Sequence, residues 1–406
     1  MLPFNKKIDI LLISRFPPPY GGVSTQARLI AEHAYLKTNA SLNICTIDLL
    51  AFKYHVLDGN GWKSYPIFSA YLLSPKVLIS IIASLFRLFR SFASAGLLDA
   101  DAFIFWRFGL LFISSIINSI LPLKHQGLIY SFHVGAPTTV GGFLSFLNHS
   151  SHLKATFGEF YTNSKKLYKQ KSFINTLAGS TDYFPCSNHC RSHLLQFNPS
   201  VESKVLYHGS ELQNLARLSA RKPKLFSRPE IIVTFLGRHT EEMGVEYFID
   251  FARHLPNRIS KSCVFNICGQ RSNMTSYLES SFPKFNILSS VSESQKQSLL
   301  IDTDILVVPS LNERACFGLA IVEGISAGCF VLARDIGGHR EACLGFSDYL
   351  FDRNTSADDL AFEFSSNLHI YSSPAHAKAR SHLQQSVVNS YDIDKCLKAQ
   401  IKSMGY

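Results

Sequence analysis

The sequence has no apolar run long enough to cross a membrane as a helix, which takes ~20 residues. Of its two longest runs, residues 77–92 carry Ser80, Ser84, Arg87 and Ser91 on one helical stripe, and residues 108–123 number 16 and include Asn118 and Pro122. The second run reads as a core helix between strands at 101–106 and 127–132. The first reads either as core packing or as a basic amphipathic helix lying on a membrane face. Nor is there a signal-peptide layout: residues 1–7 lead at once into the amphipathic strand IDILLIS, so a cytoplasmic protein is expected. The nine cysteines show no paired framework, as fits a reducing compartment. Acidic residues are scarce in one half only. Residues 1–200 hold 18 Lys+Arg against 8 Asp+Glu, and the remainder holds 22 of each. A basic first half points to an anionic surface or substrate. Nucleic acid is not expected as that partner, because no recognition motif is present and the basic residues alternate with long apolar runs.

What is present is globular and alternating. Hydrophobic residues make up 46% and charged residues 17% of 406 positions, more chain than one core usually holds, so two domains are expected. The first half reads as strand 8–14, helix 23–37, strand 41–49 and then an aromatic, irregular segment at 51–74. Strand 127–132, a polar stretch at 148–171, a strand at 182–186 and a helix at 188–197 complete it. Residues 212–229 turn basic with two prolines and read as an interdomain linker. Strand 230–236, helix 245–255 and strand 264–268 begin a second unit of the same kind. The class is α/β, with two Rossmann-like parallel-sheet domains.

Residues 305–341 carry the most chemistry. Ile305 to Pro309 is a short β-branched run, as a buried parallel strand should be. Leu319, Ile321, Val322 and Ile325 follow on a short helix, Gly328 stands at its C-cap, and a second strand begins at Cys329. Such a βαβ unit opens its loop at the carboxyl end of the sheet, where open α/β folds bind ligands. A helix starting at Phe317-Gly318 turns its first N–H groups toward an anion, and glycine removes the side chain that would block approach. Glu313 on the loop and Glu323 in the helix are unsuited to phosphate but can accept hydrogen bonds from sugar hydroxyls. Exposed acids are common; the phosphate cradle between these two is what suggests a nucleotide-sugar site.

Other candidates lie at strand ends. FPPPYGGVS follows the first strand, and Gly21 and Gly22 would let backbone amides approach a diphosphate; the absence of GxGxxG argues against a standard dinucleotide site. Arg238 follows strand 230–236 in LGRHTEEMGV, and His133 ends strand 127–132. Cys186, His189, Cys190 and His193 share one helical face, but four ligands strung along one helix do not readily close a tetrahedron, so no metal site is expected. Asp302-Thr-Asp304 reads as a solvated turn.

Residues 309–328 resemble the signature of retaining GT-B glycosyltransferases of family 4: PSxxE as PSLNE, then Phe317-Gly318, then EAxxxG as EGISAG. The resemblance extends to PPxxGG after the first strand and to GRxxxxKG around Arg238. It implies a GT-B fold with two domains facing a central cleft: residues 1–210 on the acceptor side, with a crossing tail helix at 388–406, and residues 211–387 holding the donor. It also implies a UDP- or GDP-linked sugar as donor substrate, no cofactor and no metal. The implied catalytic residues are His133, Arg238 and Glu313, and the donor contacts are Gly21, Gly22, Arg314, Phe317, Gly318, Leu319 and Glu323. The implied acceptor is a glycan or lipid-linked molecule in cell-surface polysaccharide or lipopolysaccharide assembly, reached at the inner membrane face.

Two departures stand out. Nine residues separate Glu313 from Glu323, two more than in the family pattern, with Arg314 and Ala315 as the extra pair. Met243 occupies the position of the family's lysine, and Arg314 or His239 is the expected substitute. A non-catalytic GT-B partner in an assembly complex, or a GT-B epimerase or phosphorylase, stays open beside the transferase, although no lysine is placed for a pyridoxal cofactor. If Arg314 substitutes for the missing lysine, Arg314→Ala will lower turnover by roughly 10- to 100-fold, the scale of one charge-assisted hydrogen bond. Arg253→Ala, on a helix away from the site, will not; equal turnover in the two variants rules the substitution out.

Overall fold

A computed structural model describes residues 10–13, 22–37, 44–48, 53–58, 60–66, 128–132, 153–157, 181–197, 203–220, 229–311 and 315–403. Gly21, His133, Glu313, Arg314 and the apolar runs at 77–92 and 108–123 lie outside these. Among the described residues no helix is long and apolar enough to cross a membrane. The chain divides into two compact units. One comprises residues 1–186, 191–206 and 399–406, and the other comprises residues 187–190 and 207–398.

The first unit is built on a seven-stranded sheet. Its strands are β1 (Ile10–Ile13), β2 (Ile44–Asp48), β3 (Lys53–Asp58), β4 (Gly61–Pro66), β5 (Leu128–Phe132), β6 (Leu153–Phe157) and β7 (Thr181–Pro185). The order is β4-β3-β2-β1-β5-β6-β7, parallel from β2 to β7, with β3 and β4 added antiparallel at the edge. Helix α1 (Gly22–Lys37) buries Ala27, Ile30, Ala31 and Ala34, a stripe at i, i+3, i+4 and i+7. Glu32 on its other side takes hydrogen bonds from Arg28 at 2.7 Å and from the Trp62 indole at 2.9 Å.

Two expectations for this unit need correcting. Residues 51–74 are not wholly irregular, because β3 and β4 form a hairpin in which Asp58 pairs Gly61. The dipeptide Gly59-Asn60 between them in sequence is a hairpin signal, and His55 bonds Ser64 across the pair at 2.7 Å. The polar stretch 148–171 contains β6, an inner strand between β5 and β7. Helix α2 (Asn188–Phe197) follows β7.

The second unit has a six-stranded sheet, parallel throughout. Its strands are β8 (Ile231–Leu236), β9 (Cys263–Gly269), β10 (Phe285–Ser289), β11 (Ile305–Val308), β12 (Phe330–Arg334) and β13 (Leu350–Phe351), in the order β10-β9-β8-β11-β12-β13. The chain builds outward from β8 in one direction, then returns to β8's other side at β11. That reversal opens a crevice at the carboxyl ends of β8 and β11. All residues of β11 and β12 are buried, as strands covered on both faces must be.

Residues 212–220 are not a linker. They open with helix α3 (Leu212–Ser219), whose Leu212 and Leu215 are buried in this unit's core. The remaining helices are α4 (Val245–His254), α5 (Asn257–Ser260), α6 (Thr275–Ser281), α7 (Glu293–Asp302), α8 (Leu319–Ser326), α9 (His339–Ala342), α10 (Ala357–Tyr371), α11 (Pro374–Tyr391) and α12 (Ile393–Ser403). Asp304 is not a solvated turn residue either. It is buried, and its carboxylate accepts the Ile232 N–H at 2.9 Å, pinning the start of β11 to β8.

His339 opens α9 wholly inside this core, with its Nδ1 2.8 Å from the Arg334 carbonyl. Burial pushes its pKa from the ordinary 6.5 down to about 4. Between those values the unfolded chain binds a proton that the folded one refuses, so stability is intact above 6.5 and falls as pH drops toward 4. The full loss is about 3 kcal/mol. Burial depresses His239 and His376 in the same direction. Urea unfolding at pH 7.5 and 4.5 will show the drop, and His339→Gln will flatten it; an unchanged slope in the variant would assign the pH dependence to other groups.

Candidate functional site

The site is built where β8 and β11 end. Past β8 come Gly237, Arg238 and His239, then a single 3-10 turn at Glu241–Met243 and Gly244. Gly244 is left-handed, with φ at 77°, and a Cβ there would stand 2.4 Å from the Pro309 carbonyl oxygen. Only glycine lets the β8 loop press this closely on the end of β11. Two hydrogen bonds secure the contact: Leu311 N–H to Glu242 O at 2.9 Å, and Ser310 Oγ to the same oxygen at 3.4 Å.

Arg334, at the end of β12, braces Pro309 from the other side. Its guanidinium lies over Tyr247 at 4.4 Å and Phe351 at 5.1 Å and donates from Nε to Pro309 O at 3.3 Å. Burial pushes its pKa down, but an arginine remains a cation. The motif resemblance singles out Arg238, but composition and charge alone do not separate it from this structural arginine. Arg238 is exposed, and its side chain makes no hydrogen bond or ion pair with any described residue. It stands at the crevice with its charge uncommitted.

His239 does not replace the missing lysine. It is fully buried, its Nδ1 lies 3.1 Å from Thr275 Oγ1, and burial lowers its pKa, which leaves a neutral ring turned inward. The Met243 methyl lies 3.1 Å from where a Cβ on Gly237 would be. The thioether therefore lies over the first residue past β8, the ground a lysine at this position would cover with an ammonium.

After β11 the described chain resumes at Ala315. The glycine pair Gly337-Gly338 holds this return: Gly338 N–H donates to Ala315 O at 2.7 Å, and a Cβ on Gly338 would clash with Cys316 O at 2.3 Å. Ser187 Oγ also donates to Cys316 O, at 2.5 Å. The Phe317 ring is buried against Tyr391 at 4.8 Å and Tyr207 at 5.4 Å, so any ligand contact it makes is through its backbone. Gly318 caps α8 with φ at 102°. The N–H groups of Gly318, Leu319 and Ala320 donate to no described residue, the ordinary condition of a first helical turn and a ready anion site.

Glu323, one turn further along, is buried rather than facing water. Its Oε1 accepts from Lys296 Nζ at 3.0 Å and from Ser210 Oγ at 2.7 Å. Lys296 on α7 and Ser210 before α3 are contacts the sequence did not reveal, since they lie 27 and 113 positions away from Glu323.

The structure thus describes Arg238, Phe317, Gly318, Leu319 and Glu323 around one crevice of the second unit. In the first unit the strand order reverses between β1 and β5. Gly22 opens α1 after β1 at that reversal; His133, next after β5 in sequence, lies outside the described residues.

Residues 217–382 match the family Glycosyl transferases group 1. No curated protein matches. The fold is similar to that of Anabaena Alr3699/HepE in complex with UDP, at 14% identity over 98% of this chain and 100% of that one, with a TM-score of 0.62. It is also similar to the E. coli trehalose-6-phosphate protein bound with UDP-2-fluoro glucose, at 12% identity over 98% of both chains and a TM-score of 0.66. A third likeness is to WaaG, a glycosyltransferase involved in lipopolysaccharide biosynthesis, at 11% identity over 97% of this chain and 99% of that one and a TM-score of 0.61. The fold is GT-B, and the family match over the second unit supports a group 1 glycosyltransferase.

Met243→Lys restores a cation beside Gly237. It is expected to tighten nucleoside diphosphate binding about tenfold, the effect of one charged hydrogen bond. Isothermal titration with UDP and GDP measures it. A folded variant with unaltered affinity would show that position 243 does not face the diphosphate.

Proposed function

We propose that the protein is a retaining glycosyltransferase that moves a sugar from a UDP- or GDP-linked donor to a glycan or lipid-linked acceptor. The observation carrying this reading is the uncommitted Arg238 guanidinium at the same parallel-sheet reversal from which α8 begins with open amides. Arg238 and the amides of Gly318, Leu319 and Ala320 would receive the diphosphate as negative charge builds on it during departure. Glu323 accepts from the ribose hydroxyls, and Glu313 from the donor sugar. His133, Gly21 and Gly22 are carried as donor contacts by the sequence resemblance alone. In this reading the leaving charge is met by the arginine and backbone dipoles, and the reaction is metal-independent.

The acceptor follows from charge. The excess of basic residues in 1–200 suits an anionic or lipid-linked acceptor at a membrane face, as in polysaccharide or lipopolysaccharide assembly. Solved relatives of the same fold contain UDP or a UDP-sugar, which favours nucleotide sugars as the first ligands to try.

A panel of UDP- and GDP-sugars tests the reading by thermal shift and by slow release of free nucleoside diphosphate. A bound donor at a hundredfold excess over its Kd stabilises the fold by about 2.7 kcal/mol. One donor is expected to raise the melting temperature and be hydrolysed. Binding without release would favour a non-catalytic partner, and the absence of both would defeat the donor-site reading. Sedimentation with anionic liposomes at low salt checks the membrane arm, and failure to sediment removes it.

A further inference from the structure

Glu323 is 6% exposed, and its two carboxylate oxygens are used unequally. Oε1 takes both hydrogen bonds, from Lys296 Nζ and Ser210 Oγ, and Oε2 takes none from any described residue. A lysine bridging both oxygens would have consumed the carboxylate. Loading one edge leaves the other as an acceptor without a donor, and Oε2 is not among the side-chain polar atoms sealed from solvent, so it is open to an incoming hydroxyl.

Three elements converge on this side chain, so its rotamer is fixed from outside its own helix. Lys296 comes from α7, whose start is set by a reciprocal capping box between Ser292 and Gln295. Its Nζ is held a second time by Glu293 Oε1 at 2.9 Å. Burial works against the lysine's charge, but the Glu323 and Glu293 carboxylates outweigh it and raise its pKa above the usual lysine range. The ammonium is therefore a permanent donor at physiological pH, and the counter-charge to a carboxylate that burial removes from water. Ser210 comes from the opposite direction, just ahead of α3, where a bridge to Asp392 ties it down.

We propose that Lys296, together with Ser210, is a positioning residue that grips Glu323 by Oε1 and presents Oε2 to the ribose hydroxyls of the donor nucleotide. This rests on the nucleotide-sugar reading above and adds residues that neither the sequence signature nor the family match marks. It gives the ion pair a role beyond stability, for which a buried pair is weak support. Pre-set orientation of an acceptor is what makes a hydroxyl contact selective.

Selectivity for ribose is the readout that separates positioning from structural support. Titration calorimetry would compare UDP and GDP with their 2′,3′-dideoxy counterparts on the full chain. The wild type is expected to prefer the ribonucleotide about tenfold, the contribution of one hydrogen bond to a charged group. In Lys296→Met that preference should fall to within about twofold while dideoxy binding is kept, and Lys296→Arg should retain most of it. If Lys296→Met does not fold, as judged by circular dichroism, Ser210→Ala is the second probe and should reduce the preference partially. A ribose preference undiminished in the folded Lys296→Met protein, or in Ser210→Ala where that protein does not fold, overturns the positioning role and leaves the nucleotide-sugar reading standing. A wild type that binds neither UDP nor GDP overturns both.

Discussion

The contact between Gly244 and the Pro309 carbonyl governs the geometry of the second unit's site. A parallel sheet that reverses its build direction leaves two loops at one crevice, and they define a site only if they are held at a set distance. Here the β8 loop closes onto the end of β11 with no room for a Cβ, two hydrogen bonds to Glu242 O lock it, and the buried Arg334 supports Pro309 from behind. Arg238 and the start of α8 take their places relative to this junction. A larger residue at 244 would have to displace backbone rather than a flexible side chain.

The unit's cations divide by what surrounds them. Arg334 is spent on carbonyls and aromatic faces, and Lys296 on two carboxylates. Arg238 sits on the loop itself, exposed and unpaired among the described residues. Buried cations need partners because desolvation is expensive. A cation left at a crevice mouth can wait for an anionic ligand, and the division is thus a consequence of depth.

Much of the second unit was legible from local pattern. Strands β8 and β11 are β-branched runs and β9 and β12 mostly apolar ones, and Gly318 and Gly328 bracket α8 as their backbone angles require. The errors fell where a short amphipathic stretch was read by composition. Leu212 and Leu215 lie on a short helix with as many polar as apolar residues, ahead of a basic, proline-containing stretch, so residues 212–220 looked like linker. β6 and the β3–β4 hairpin carry mixed-polarity sequences whose strand character comes from pairing with neighbours. Asp304 looked solvated because a single acid before a strand usually is, and only the neighbouring Ile232 N–H explains its burial.

By itself the sequence determined the α/β class, the βαβ unit at 305–341 and the glycines at its helix ends, because these depend on periodicity and backbone conformation over a few residues. Arg238 and Glu323 became candidates through the resemblance of their motifs to a glycosyltransferase signature. The tertiary structure alone decided which arginine is free, that His239 faces inward, and that Glu323 is held by Lys296 and Ser210 through one oxygen. Those outcomes depend on which distant side chains desolvation forces together, and neighbours in space are not written as neighbours along the chain.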